Sequence, residues 1–218
     1  TPLQAPEALV RKYRGRYMQG WHAVRQARFA KQKHIGLFDG ELELPAWEKN
    51  QRRWETLTDN ERSWEDYRMA IYAAMVDSLD WNIGRVVKEL LAQGRWENTL
   101  FLFMSDNGAN PYERSSNIQA LPWVATDKGG MRPGTEWAAV CNTPFRWYKQ
   151  NQHRGGVTSP CIVHWPAGLK AQGWSDTPAH LVDVAPTLLE LAGVAYPKKE
   201  FKGRTVEPLA GVSLVPVI

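Results

Sequence analysis

The chain has 218 residues, of which 43% are hydrophobic and 11% aromatic, and its formal net charge is +4. This is the balance of a globular protein with a sizeable core; it excludes a disordered chain, and two cysteines are too few for a small disulfide scaffold. The longest apolar runs, 70–76 and 100–104, are far shorter than the roughly 20 residues of a membrane span, and scattered lysines and arginines predict no nucleic-acid partner.

The N-terminal part of the chain predicts two helices with a loop between them. Apolar and aromatic residues at spacings of three and four predict one helix over about 7–33. Glycines and a proline then predict a loop over 36–47. Thr58 and Glu61 have the spacing of a capping box, which predicts the start of a long second helix that ends at Gly94.

The rest of the chain predicts an α/β domain, in which helices cover a sheet. Residues 99–105 are continuously apolar and predict a strand that is buried on both faces. Residues 108–143 lack apolar periodicity and predict a long loop, which at this length is either functional or disordered. A second strand is predicted over 161–165, and a last helix over 177–192, entered through Thr-Pro and ended by Gly193.

Two residues that could hold a metal ion follow the first predicted strand. Asp106 and Asn107 stand at its carboxyl end, where ligands bind in open α/β sheets. A carboxylate beside a carboxamide offers the hard oxygen ligands that calcium and magnesium prefer. Asp-Asn-Gly is also typical of an ordinary turn, so the local sequence leaves both interpretations open.

Lys149 is a candidate for binding an anion. It precedes Gly155 and Gly156, and a glycine-rich turn can add backbone N–H groups to the charge of a lysine. A surface lysine near a tight turn is the alternative. His180 and Asp183 share a face of the last predicted helix, where we expect them to hydrogen-bond locally and position that helix.

These segments together resemble the sulfatase family, in the arylsulfatase-like branch of the alkaline-phosphatase-like fold. The likeness rests on four segments that stand in the family's order, 2–21, 98–109, 142–168 and 180–189. It implies an α/β fold with helices packed on a central mixed sheet, here incomplete. It assigns residues 1–218 to the C-terminal half of a sulfatase catalytic domain, ending near the start of the small C-terminal domain.

The resemblance also implies a chemistry. Asp106 and Asn107 would be two ligands of a single calcium ion, and Lys149 would be a catalytic residue that binds the sulfate group of the substrate. Cations around the sulfate oxygens would stabilise the charge that builds there. The parent would be a sulfuric ester hydrolase acting on a small-molecule or glycan sulfate ester, and periplasmic, secreted or lysosomal as the family often is.

The family's nucleophile has no counterpart in these residues. It is a formylglycine made in a Cys/Ser-x-Pro-x-Arg motif, and in the run from Cys141 to Arg146 the proline and the arginine come one residue too late. The motif, an active-site histidine and two acidic metal ligands would precede Thr1. We therefore expect the chain alone to be inactive and to need the N-terminal half of the parent.

One residue departs from the family pattern. Arg154 stands where the family usually has a glutamate before the Gly-Gly pair. A cation there is expected to loosen the turn or to repel Lys149.

Two alternatives from different classes stay open. The first is a phosphodiesterase or phosphonate hydrolase of the same fold, which residues outside this chain would distinguish. The second is a non-catalytic binding or structural module that keeps the fold, which Arg154 and the missing N-terminal half favour.

Overall fold

The computed structural model describes residues 3–38, 40–112, 132–169 and 173–218. The helices and strands, numbered along the chain, are α1 Glu7–Tyr13, α2 Gly20–His34, α3 Asp59–Ala92, β1 Phe101–Met104, α4 Gly134–Cys141, α5 Arg154–Val157, β2 Cys161–His164, α6 Val184–Leu191, β3 Glu200–Phe201 and β4 Arg204–Thr205. Short 3-10 helices lie at Trp54–Thr56, Trp96–Asn98, Leu181–Asp183 and Val215–Val217. Within these ranges no helix is both long enough and apolar enough to cross a membrane.

The strands of the described residues form two small sheets. β1 pairs with β2, and β3 pairs with β4 in antiparallel register, with Glu200 opposite Thr205 and Phe201 opposite Arg204. This mixture of helices and small sheets is compatible with the α/β class that the sequence predicts. The larger central sheet stays a prediction.

The chain divides into two compact units. The first comprises Thr1–Glu97 and Phe101–Val163, and the second comprises Asn98–Leu100 and His164–Ile218. In the described residues, every buried hydrophobic side chain belongs to the first unit. The candidate site residues Asp106, Asn107 and Lys149 also belong to that unit.

The single helix predicted over 7–33 is wrong, because two helices occupy this range. Gly15 and Gly20 have φ angles of +82° and +89°, a left-handed conformation that interrupts a helix and that glycine adopts at little cost. The buried carboxylate of Asp66 fixes the connection, since it accepts hydrogen bonds of 2.9 Å from the backbone N–H groups of Gly15 and Tyr17. The apolar spacing runs across the break, so periodicity alone does not show it.

The long helix α3 begins at the predicted capping box. The Thr58 hydroxyl accepts a hydrogen bond from the Glu61 N–H, and the Glu61 carboxylate accepts one from the Thr58 N–H at 2.8 Å. The first half of α3 packs against α1, where Ile71 and Val10 share a core cluster. The second half, from Val76 onward, is largely exposed.

The long loop predicted over 108–143 contains a helix, α4, and the prediction is wrong there. Trp137 and its neighbours in α4 are buried, and a helix that is apolar on nearly every side lacks an amphipathic period. Trp137 packs edge-on against Trp21, with ring centroids 6.3 Å apart. Residues 113–131 of the predicted loop lie outside the described residues.

A partly buried ionic cluster joins the segment before the first 3-10 helix to α3 and α4. Arg52 Nη2 lies 2.9 Å from Glu65 Oε1 and 3.0 Å from Glu136 Oε2. Burial raises the pKa of Glu65. Burial also opposes ionisation of Glu136, but the hydrogen bond and charge of Arg52, together with backbone hydrogen bonds, lower the pKa of Glu136. The cluster therefore fixes the 45–53 segment beside α4.

The two strands of the first sheet lie where the sequence predicts them, but the first is less buried than predicted. Phe103 in β1 is 37% exposed and Ile162 in β2 is 58% exposed. The prediction that the first strand is buried on both faces is therefore wrong for this chain. Continuous apolar sequence indicates a covered strand, and the described residues cover only part of it.

The last helix begins later than predicted. A 3-10 turn at Leu181–Asp183 leads into α6, so Thr-Pro at 177–178 is not the entry. Asp183 Oδ2 accepts a hydrogen bond of 2.7 Å from the His180 N–H, and His180 Nδ1 accepts one from Val182. The prediction that His180 and Asp183 hydrogen-bond locally and position this helix is confirmed.

Asp183 also holds the C-terminal segment against α6. Its Oδ1 accepts a hydrogen bond of 2.9 Å from the Val212 N–H, and the Thr187 hydroxyl accepts one of 2.8 Å from Leu214. The Val212 and His180 N–H groups lower the pKa of Asp183. A carboxylate is therefore the form that this junction stabilises.

Candidate functional site

Asp106 and Asn107 lie in the turn that follows β1. Asp106 is exposed and Asn107 is half-buried. The Ser105 hydroxyl donates a hydrogen bond of 2.9 Å to the carbonyl oxygen of Asn107, which fixes the backbone of the turn. The Asp106 carboxylate is thus presented to solvent at the end of a strand, where it is accessible to an ion.

Backbone hydrogen bonds join this turn to the segment 142–157, which we call the lysine loop. The Gly108 N–H donates to the Gly156 carbonyl at 3.0 Å, and the Lys149 N–H donates to the Ala109 carbonyl at 3.1 Å. The fold therefore brings together the two segments that carry the predicted site residues. That their side chains share one substrate group stays a prediction.

The side chain of Asn142 connects the same two segments, and sequence reasoning does not single it out. Its Oδ1 accepts a hydrogen bond of 3.0 Å from the Ala109 N–H, and its Nδ2 donates one of 3.0 Å to the Trp147 carbonyl. A carboxamide suits this position because it donates and accepts at once. The one feature of the sequence that could have identified Asn142 is its position at the start of the 142–168 segment.

Three glycines allow the backbones to approach this closely. A Cβ atom on Gly108 would collide with the Gly155 carbonyl oxygen. A Cβ on Gly155 would collide with the Trp147 carbonyl, and one on Gly156 with the Asn151 carbonyl. Space, rather than backbone freedom, is what requires glycine at these three positions.

The Gly-Gly pair does not offer its N–H groups to an anion, which corrects the expectation from sequence. The Gly155 N–H donates to the Arg146 carbonyl at 3.0 Å, and the Gly156 N–H donates to the His153 carbonyl at 2.7 Å. Both donors are thus satisfied within the lysine loop. An anion bound by this loop would depend on its side chains.

Lys149 is flanked by residues in an uncommon backbone conformation. Trp147 and Gln150 have φ angles of +63° and +76°. For residues other than glycine this left-handed conformation costs about 1 kcal/mol or more, and such strain clusters at functional sites. The backbone on both sides of the half-buried Lys149 is therefore held in this conformation by the surrounding structure.

Arg154 does not loosen the turn, contrary to the expectation from sequence. Its guanidinium carbon lies 4.7 Å from the centroid of the Phe145 ring, and Phe145 packs edge-on against Phe38. The hydrogen bonds of Gly155 and Gly156 remain in place beside it. A cation–π contact thus accommodates the charge of Arg154 beside the Gly-Gly pair.

The lysine loop carries positive charge. Arg146, Lys149 and Arg154 lie within it, and Arg146 Nε pairs with Glu48 Oε1 at 2.7 Å. The hydrogen bond to Arg146 lowers the pKa of Glu48. The positive charges of Lys149 and Arg154 favour an anionic group near the loop.

The comparisons with known proteins place this chain in a family. The sequence profile of the Sulfatase family matches residues 1–194. The chain belongs to the sulfatase family. The match includes the turn with Asp106 and Asn107 and the whole lysine loop.

Two relatives match almost the whole of this sulfatase chain. An uncharacterised sulfatase of Schizosaccharomyces pombe is 35% identical over 222 residues, which cover 94% of this chain and 39% of that protein. The arylsulfatase of Klebsiella aerogenes is 34% identical over 225 residues, which cover 98% of this chain and 48% of that protein. Mouse steryl-sulfatase is 34% identical over 139 residues, which cover 63% of this chain and 20% of that protein. The sulfatase chain thus spans less than half the length of these relatives.

Asp106 and Asn107 of the sulfatase chain offer the type of oxygen ligand that suits a calcium ion, but too few of them. Their carboxylate and carboxamide oxygens are ligands that calcium prefers, but calcium takes six to eight oxygens. Across the described ranges, no group of three or more His, Cys, Asp or Glu residues could hold a metal ion. A complete site would need ligands from beyond those ranges.

Proposed function

We propose that residues 1–218 are the C-terminal half of a sulfatase catalytic domain, ending near the start of a small C-terminal domain. The matched relatives, of which the chain covers 39% and 48%, support this assignment. The partly exposed faces of β1 and β2 are consistent with a central mixed sheet that the rest of the parent completes.

We further propose that the parent hydrolyses a sulfate monoester of a small molecule or a glycan to an alcohol and sulfate. The observation that carries this proposal is the pair of backbone hydrogen bonds between the turn with Asp106 and Asn107 and the loop with Lys149. In a member of the sulfatase family, these are the segments expected to hold a metal ion and the sulfate group.

Lys149 would supply the anion binding of the lysine loop. The N–H groups of Gly155 and Gly156 are used internally, so they do not assist it. The Lys149 ammonium would donate to a sulfate oxygen and stabilise the negative charge that builds as the ester bond breaks. Its anchored backbone limits the reorganisation that this contact requires.

Asp106 and Asn107 would supply two of the oxygens around one calcium ion, with further ligands from the rest of the parent. When bound, that ion adds positive charge beside the sulfate oxygens. A formylglycine in the N-terminal half would be the nucleophile. The chain alone would therefore be inactive.

The proposal is tested on the full-length parent with p-nitrophenyl sulfate as substrate. We expect Lys149→Ala and Asp106→Ala each to lower kcat/KM by about 100-fold or more, because each removes charge stabilisation at the sulfate. The matched control is Lys198→Ala, which removes an exposed lysine of the second unit and should leave kcat/KM within about twofold. Wild-type kcat/KM in Lys149→Ala would refute the assignment.

A further inference from the structure

A small cavity lies in the first unit between the 45–51 segment and the lysine loop. Its volume is about 10 Å³, which is room for one water-sized group. Arg25 of α2, Trp47 and Glu48 line one side, and Arg146 and Trp147 of the lysine loop line the other.

Arg25, which lines this cavity, has an unsatisfied charged donor. Only 5% of Arg25 is exposed. Its Nη1 donates a hydrogen bond of 2.7 Å to the Pro45 carbonyl, but its Nε has no hydrogen-bond partner among the described residues. The guanidinium also lies over the Trp47 ring, 5.8 Å from the centroid. A buried charged N–H group left in this state is costly, which points to a ligand.

The charges around the cavity leave an excess of one positive charge. Arg25 and Arg146 are the cations of its lining and Glu48 is the anion. The Glu48 carboxylate is already engaged by Arg146 at 2.7 Å. Glu48 also acts on Arg25 through its charge, so one carboxylate serves two guanidinium groups in the lining.

We propose that this cavity binds one monovalent anion of halide size, such as chloride, at Nε of Arg25. A single negative charge would neutralise the lining. A tetrahedral oxyanion such as sulfate is too large for a space that holds one water-sized group, so the site is distinct from the sulfate site proposed at Lys149.

A halide in this cavity would tie α2 to the lysine loop. It would contact Arg25 on one side and the wall formed by Arg146 and Trp147 on the other. The stability of the fold should then depend on halide concentration, beyond general screening by salt.

The direct test is a crystal of the full chain soaked in bromide, whose anomalous scattering identifies it. We expect a bromide peak within hydrogen-bond distance of Arg25 Nε. Cavity density without an anomalous signal, at a bromide concentration of about 200 mM, would show that water fills the space and would overturn the proposal.

A solution test uses thermal unfolding at constant ionic strength, with gluconate replaced by chloride. We expect Tm to rise by about 5 °C in wild type, and the rise to vanish in Arg25→Gln. Arg28→Gln removes an exposed arginine of the same helix and should keep the rise. No rise in wild type, or an equal rise in Arg25→Gln, would overturn the proposal; if Arg25→Gln does not fold, the wild-type titration and the bromide crystal decide.

Discussion

At Gly108 the turn after β1 meets the lysine loop with no room for a side chain. Its N–H donates to Gly156 while its Cα faces the Gly155 carbonyl oxygen. Asn142 adds a donor and an acceptor to the same junction. The relative position of Asp106 and Lys149 therefore depends on a few backbone contacts that tolerate no added atom.

Gly108→Ala is expected to destabilise the chain by about 2 kcal/mol, because the new methyl group must displace the Gly155 backbone. The measurement is urea unfolding. Gly84→Ala is the matched control, since a methyl group added to Gly84 would meet nothing within 4 Å apart from its chain neighbours and the nearby backbone of α3. There alanine should stabilise the helix by up to about 1 kcal/mol. Unchanged stability of Gly108→Ala would contradict the close contact.

The sequence indicates the candidate site residues more readily than their surroundings. Asp106 and Asn107 stand out because they follow an apolar strand, and Lys149 because it precedes a Gly-Gly pair. The use of the glycine N–H groups within the loop, and the contact of Arg154 with Phe145, depend on how the loop folds back on itself. Such contacts have no local sequence signature.

For helices and strands, a prediction succeeds when the sequence signal that determines the element lies within the element itself. The capping box of α3 is local, and the helix begins there. The break between α1 and α2 depends on Asp66, which lies far along the chain, and α4 is hidden because it is buried on most of its surface. Apolar periodicity identifies a helix that has one buried and one exposed face, so it does not identify a helix that is buried on all sides.

The junction between α6 and the C-terminal segment gives a pH-dependent prediction. Asp183 has a pKa below its usual value because the Val212 and His180 N–H groups stabilise the carboxylate. Its stabilisation is therefore complete above the unfolded pKa of about 3.9 and is lost as pH falls through the lower folded pKa. We expect the hydrogen-exchange protection of the Val212 amide to decline over that range.

Substitution of Asp183 tests the junction between α6 and the C-terminal segment at neutral pH. In Asp183→Asn, one of the two acceptor oxygens becomes an NH₂ group, which cannot accept from a backbone N–H. Amide exchange at Val212 or His180 should then accelerate. Asp176→Asn changes an exposed aspartate of the same unit and should leave both amides protected. Unaltered protection in Asp183→Asn would contradict this role.

For the molecule as a whole, the second half of α3 presents exposed apolar side chains. Val76 and Leu79 are each 48% exposed, and Trp81, Val86 and Leu91 are 63%, 53% and 55% exposed. Together with the half-exposed strands of the first sheet, these side chains give the chain exposed apolar surface of the kind through which proteins associate. The sequence predicts the α/β class, but it cannot show which faces this chain leaves uncovered.

We expect the chain alone to self-associate through these surfaces. Light scattering after size exclusion should show oligomers that grow with concentration, and Val86→Lys should reduce them because a charge interrupts the apolar face. Lys88→Gln, an exposed change of the same helix that leaves the apolar face intact, is the control. A monomer with one reversible thermal transition would contradict this expectation.

The most direct test of a sulfatase reaction is the ester preference of the full-length parent. The measurement is the ratio of kcat/KM for p-nitrophenyl sulfate to kcat/KM for bis(p-nitrophenyl) phosphate. We expect a ratio above about 100, because a site built around one sulfate group discriminates through transition-state binding. A ratio below about one would contradict the sulfatase assignment and favour a phosphodiesterase of the same fold.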